Sequence, residues 1–325
     1  MATIEKNFEQ RDATLTAKEL SFLLKHFKTK VEPQSPFEAV KNVKPDKKDY
    51  LQELQKRKVI NNVWGQALKR IASINDPVTV EIIGPETVTK SVFCPDRRKK
   101  YGGYLTNWTD ESHCEVLFPC PESYILEKVG AELGAFDAAP PSLVDLSFST
   151  SGITALAAVL DFLRTLLFAS MLERTPIVSL RIRGEDLEQQ IFVGLEHNDN
   201  RWLVTLLNTA MPSLLPVSPE EFERGIDELV SIGLLTRHEK APGTYEPHPV
   251  LYTIAFSLIN TVPAVSLTRE NIKKHYREQL VALRGSSIWH LNTISNGTGS
   301  AEQFRFRSVD GLTSFQELLA LLKGK

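Results

Sequence analysis

The chain has 325 residues, 42% of them hydrophobic, and a formal net charge of −2, with a pI near 6.4. That length and apolar content can fill two domains more readily than one, and the charge balance excludes a general binder of nucleic acid or anionic membrane. Three cysteines at unpatterned spacings, and an N-terminus without an apolar run, point to a reducing cytoplasmic setting rather than a secreted disulfide scaffold.

Residues 1–13 are polar and read as a flexible N-terminus. Thr16-Ala17-Lys18-Glu19 is a capping box, opening a helix through about Phe27 with Leu20, Leu23, Leu24 and Phe27 on one face. After a proline-containing loop, residues 45–60 give a second helix and 64–74 a third. Residues 78–82 alternate as a strand does, 89–94, 104–108 and 114–118 follow as strands, and a helix covers 122–133. Together 14–133 form a first α+β half, and the proline-rich stretch 134–148 reads as a linker.

The most apolar stretch, 153–172, predicts a long central helix within 149–176, capped by Ser149, Thr150 or Ser151 and ended by Pro176. Asp161 and Arg164 sit in its middle, where each would cost roughly 2.5–3.5 kcal/mol in lipid. Membrane insertion is therefore not expected, and the two can pair at i,i+3 on the polar side of the helix. Residues 177–325 form a second α+β half. Its predicted elements are a hairpin of 177–182 and 190–195 across Gly184, a turn at 198–200 and a helix at 201–210. A helix from Ser218 and a wing-like hairpin of 234–237 and Tyr245 around Pro242-Gly243 come next, then a helix at 249–260. A strand at 263–267, a helix at 268–283, strands at 288–294 and 303–309, and a closing helix at 312–322 complete it.

The best-defined of these is the stretch 216–235. Ser218, Pro219 and Glu221 form a capped start, Phe222, Ile226, Leu229 and Val230 recur at helical spacing, and Gly233 ends it. Residues 45–60 share its outline. The elements after each also correspond: helix 64–74 with 250–260, strands 78–83, 104–108 and 114–118 with 263–267, 288–294 and 303–309, and helix 122–133 with 312–322. The pattern predicts two pseudo-repeated halves, each with winged-helix-like helices and a mostly antiparallel sheet, joined by the long central helix.

No P-loop, G-x-S-x-G elbow or H-E-x-x-H is present. Cys94, Cys114 and Cys120 with His113 lack zinc-knuckle spacing and read as buried thiols. His197, between Glu196 and Asp199, sits in the polar turn EHNDN. No catalytic residue, metal ligand or cofactor is assigned. The sharpest charge feature is the basic loop Arg97-Arg98-Lys99-Lys100 with Tyr101, a candidate partner-binding site with Tyr104 beside it; the alternative is a solvated hairpin. Glu220, Glu221, Glu223, Asp227 and Glu228 against Arg224 alone argue against DNA reading by helix 218–232.

The order of elements resembles the EspG family, the cytosolic chaperones of type VII secretion. Leu15-Thr16-Ala17-Lys18-Glu19-Leu20 is similar to the family's opening L-T-x-x-E-L helix, and Glu196–Trp202 to its acidic strand-turn, with Asn200 standing where the family shows glycine. The resemblance implies two α+β halves about a pseudo-two-fold and a non-enzymatic protein that binds a partner polypeptide through exposed loops and C-terminal helices. The expectation is a cytosolic chaperone or adaptor in a secretion-type system. The alternatives are a tandem winged-helix regulator or assembly subunit, and then an enzyme without a familiar motif.

Overall fold

A computed structural model of the chain describes residues 10–45, 50–96, 102–177, 180–214, 218–274, 276–294 and 303–324. It is a mixed α+β protein built on one ten-stranded antiparallel sheet. In chain order the first elements are β1 (Arg11–Thr16), α1 (Ala17–His26), α2 (Tyr50–Lys56), α3 (Asn62–Ala72), β2 (Val78–Ile83), β3 (Val88–Pro95), β4 (Gly103–Trp108), β5 (His113–Phe118) and α4 (Glu122–Leu133). They are followed by β6 (Asp145–Ser149), α5 (Thr150–Glu173), β7 (Ile182–Arg183), α6 (Gly184–His197), α7 (Leu203–Ala210), α8 (Pro219–Ser231), β8 (Leu235–Arg237), β9 (Thr244–Pro247) and α9 (Pro249–Ser257). The last are β10 (Ala264–Asn271), β11 (Tyr276–Leu283), β12 (Ile288–Ile294), β13 (Gln303–Val309) and α10 (Gly311–Lys323).

The sheet order is β1-β5-β4-β3-β2-β10-β11-β12-β13-β6. β2 and β10 pair at its centre, with Val80 opposite Leu267 and Ile83 opposite Ala264, so residues far apart in sequence share a single continuous sheet. Strand alternation sends successive side chains to opposite faces. Leu280 and Ala282 of β11 join α4 and α10 in one core. Their neighbours Val281 and Leu283 join α5, α7, α8 and α9 in another. A third core packs α1, α2 and α3 on Cys114, Val116 and Phe118 of β5.

Local signals explain the helices that the sequence locates well. Thr16 and Glu19 close the predicted capping box of α1, and Ser218 and Glu221 close that of α8, satisfying N-terminal amides that would otherwise lack partners. Gly233, at φ 77°, follows α8 in the left-handed conformation that only glycine adopts without strain. α4 runs over 122–133 as expected and ends on Gly134, also left-handed.

Elsewhere tertiary pairing overrides the local reading. The stretch 268–283, expected as a helix, is the end of β10 and the whole of β11, because each finds a strand on both sides. The expected hairpin of 177–182 and 190–195 is instead the short β7 followed by α6, in which Leu187, Ile191 and Leu195 turn to the core at four-residue spacing. Residues 11–13, assigned to the flexible N-terminus, and 145–148, assigned to the linker, belong to β1 and β6, the two edge strands of the sheet. α5 covers the predicted central helix from Thr150 to Glu173, and Asp161 and Arg164 pair at i,i+3 as expected (2.6 Å), with Asp161 buried and Arg164 half-buried.

Candidate partner-binding surface

The sequence-predicted residues Arg97, Arg98, Lys99, Lys100 and Tyr101 lie outside the described residues. Their flanks are firmly built. Asp96 is buried 3.7 Å from the Arg70 guanidinium, and Gly102, at φ 72°, lies close against the backbone of Cys120 and Pro121. Tyr104, expected beside the loop as a surface for a partner, is instead buried, its ring 5.9 Å from that of Phe118.

A different surface stands out on α5. Its first half is core from Gly152 to Asp161, whereas Phe168, Met171 and Leu172 in its last turns are 55%, 50% and 70% exposed. Phe192 on α6 is exposed as well. The turn after α6 meets α5 in a pocket of about 360 Å³, walled by Phe168, Trp202 and Ile259. Below it Asp161 accepts from the backbone N–H of Leu203 (2.9 Å) and of Val204 (3.0 Å), capping α7 from another helix. Arg164 donates to that carboxylate and to the Arg201 carbonyl (2.8 Å). Burial pushes the Asp161 pKa up, while Arg164 and the two amides oppose it.

Residues 196–202, expected as a strand-turn, are the end of α6 and the turn after it, which is pinned by Asn200. Its Nδ2 donates to the Gly84 carbonyl (3.0 Å) and its Oδ1 accepts from Thr209 (2.9 Å), tying this turn to the one between β2 and β3. A glycine here would have neither bond. Asp199 is held below the usual carboxylate range: burial opposes this, but hydrogen bonds from Arg201 outweigh it. His197 is exposed at the C-terminus of α6.

A second concave region, about 810 Å³, opens between α6, α8 and the β8–β9 hairpin. Phe222, Ile226 and Tyr245 lie in it, and Glu185, Glu188, Glu223 and Asp227 line its sides. The hairpin itself follows the predicted wing, with β9 pairing β8 and β7.

One cluster has the connectivity of a hydrolase relay. Nε2 of His290 lies 2.9 Å from Ser314 Oγ, and its Nδ1 2.8 Å from Glu317, the order of a serine–histidine–carboxylate triad. Ser314 and His290 are both almost wholly buried between β12 and α10, whereas a nucleophile must reach its substrate. The cluster is a strut. Burial lowers the His290 pKa, so the ring is neutral and donates to the Glu317 carboxylate. No signal in the sequence joined His290 to residues 24 and 27 positions on.

The three cysteines, expected as buried thiols, are buried. Burial pushes the thiols of Cys114 and Cys120 up to about 12, and that of Cys94 up as well. Among the described residues no group of three His, Cys, Asp or Glu side chains could hold a metal ion. No family model and no curated protein matches the chain.

Proposed function

We propose that this chain is a non-catalytic cytoplasmic chaperone or adaptor that binds a partner protein, possessing the two-half architecture of the EspG family it resembles. One observation carries the reading: α5 is a core helix for half its length and then presents Phe168, Met171 and Leu172 to solvent. Large apolar side chains grouped on one rigid element are the usual anchor of a protein interface.

The strand order supports the pseudo-repeat within this reading. Outward from the β2–β10 pair the chain adds β3, β4, β5 on one side and β11, β12, β13 on the other. α4 follows β5 as α10 follows β13. Thr16 and Ser149 each end an edge strand and cap the helix that follows it. By this correspondence α2 and α3 match α8 and α9. Two halves sharing one sheet would give a rigid frame from which α5 and α6 project their apolar groups.

The second reading, a winged-helix regulator, is favoured by α8 followed by the β8–β9 hairpin. Its chemistry opposes this, because α8 exposes Glu220, Glu223 and Asp227 where phosphates would lie. Affinity capture from the native host, followed by mass spectrometry, tests the proposal. A stoichiometric protein partner, lost on Phe168→Asp/Leu172→Asp with the fold retained, is the expected result. A partner-free monomer that turns over a screened substrate, or that shifts duplex DNA at physiological salt, would sink it.

A further inference from the structure

We propose that the cleft between α6, α8 and the β8–β9 hairpin is a docking site for a basic, amphipathic polypeptide segment, one in which Lys or Arg residues flank an apolar side chain. The inference rests on the adaptor reading but uses a surface distinct from the exposed end of α5. The cleft has a volume of about 810 Å³, at the upper end of what small-molecule sites occupy. Phe222 and Ile226 of α8 form its floor but are themselves buried, so Tyr245 of β9 and the exposed Pro242 of the hairpin are the apolar side chains an occupant can reach.

Charge decides the occupant. Four carboxylates line the cleft: Glu185 and Glu188 on α6, Glu223 and Asp227 on α8. The two guanidinium groups there are already engaged, Arg237 with Asp227 and Arg183 with Asp186 (2.6 Å). Glu188 and Glu223 make no ion pair among the described residues. They stand on different helices, with the partly exposed Tyr245 of β9 in the same cleft. Cations spaced along an extended chain can answer carboxylates on both helices while the apolar residue between them meets Tyr245 and Pro242. Among the described residues, these carboxylates do not group in threes as a metal site would. Nucleic acid is disfavoured by the same carboxylates, and electrostatic complementarity of this kind sets specificity and association rate.

The test uses the full chain and a fluorescein-labelled peptide of about nine residues alternating Lys or Arg with Leu or Phe, a length suited to one groove. The control peptide carries Glu in place of each basic residue. Fluorescence anisotropy should show the basic peptide binding at least about tenfold more tightly than the control, with affinity falling as salt rises. The variant Glu185→Gln/Glu188→Gln/Glu223→Gln should keep its circular dichroism and lose about tenfold in affinity. Equal binding by wild type and this variant, binding of the acidic peptide, or no binding of either peptide overturns the proposal. The Phe168→Asp/Leu172→Asp variant separates the two surfaces: it should still bind the basic peptide. If host-partner capture depends on Phe168 and Leu172 while the peptide ignores the carboxylates, the adaptor reading stands and the cleft does not.

Discussion

Glu228 of α8 reaches across to Ser149, the residue that caps α5: one carboxylate oxygen accepts from the Ser149 backbone N–H (2.9 Å) and the other from its hydroxyl. Ser149 Oγ in turn accepts from the Gly152 N–H (3.1 Å). An acidic residue of α8 that argues against a DNA-reading role thus fastens the start of the longest helix. The two helices approach closely enough that a Cβ at Gly152 would strike Glu228, and one at Gly225 would strike the Ser151 carbonyl. Glu228→Ala should cost about 1–3 kcal/mol by leaving Ser149 without its acceptor. Gly225→Ala should cost a similar amount, about 1–3 kcal/mol, by forcing the helices apart. Urea denaturation of each variant measures both.

Asp161 offers a sharper contrast. It is the acceptor for two buried amides of α7 and for the half-buried Arg164. Asp161→Ala leaves two buried α7 amides without an acceptor and takes the carboxylate partner from Arg164, and should cost about 3–5 kcal/mol. Asp161→Asn, which keeps one oxygen for an α7 amide, should cost clearly less. Equal losses in the two variants would show that the carboxylate's hydrogen bonds to α7 are not what matters.

His290 makes stability depend on pH. Burial lowers its pKa below the ordinary 6.5, so the unfolded chain takes a proton that the folded chain resists. Stability should therefore fall as pH drops below about 6.5, with no such change above it. Glu317 is held below its ordinary 4.5: burial opposes this, and His290 and Arg307 outweigh it, so its contribution is lost only at more acidic pH. His290→Asn should flatten the slope between about pH 7 and 5. A wild-type slope unchanged by that substitution would place the titrating group elsewhere.

The cysteines should be chemically quiet. A thiol raised to about 12, as at Cys114 and Cys120, supplies almost no thiolate near neutrality. Mass spectrometry after brief iodoacetamide treatment should find Cys94, Cys114 and Cys120 unmodified in the folded protein and modified in denaturant. Rapid labelling of any of them in the native state would contradict their burial.

What the sequence determined by itself is the set of elements whose ends carry their own chemistry. The capping boxes at Thr16 and Ser218, the glycines at 134 and 233, and the alternation of β2 to β5 are decided within a few residues, where hydrogen bonds and backbone freedom act locally. α6 lies where a hairpin strand across Gly184 was expected, although Glu185 and Asp186 at its start and Leu187, Ile191 and Leu195 at helical spacing carry a local helix signal. The residues 268–283 were not legible, because their polar, helix-compatible composition becomes strand only when β2 lies on one side and β12 on the other. Edge strands β1 and β6 need partners more than 90 residues away to exist at all. The candidate surfaces follow the same division: exposed Phe168 and Leu172 look like core in a sequence as apolar as 153–172, and the carboxylates of α6 and α8 line one cleft only once the chain has folded. Burial and long-range pairing are properties of the whole packed molecule, so tertiary structure alone decided them.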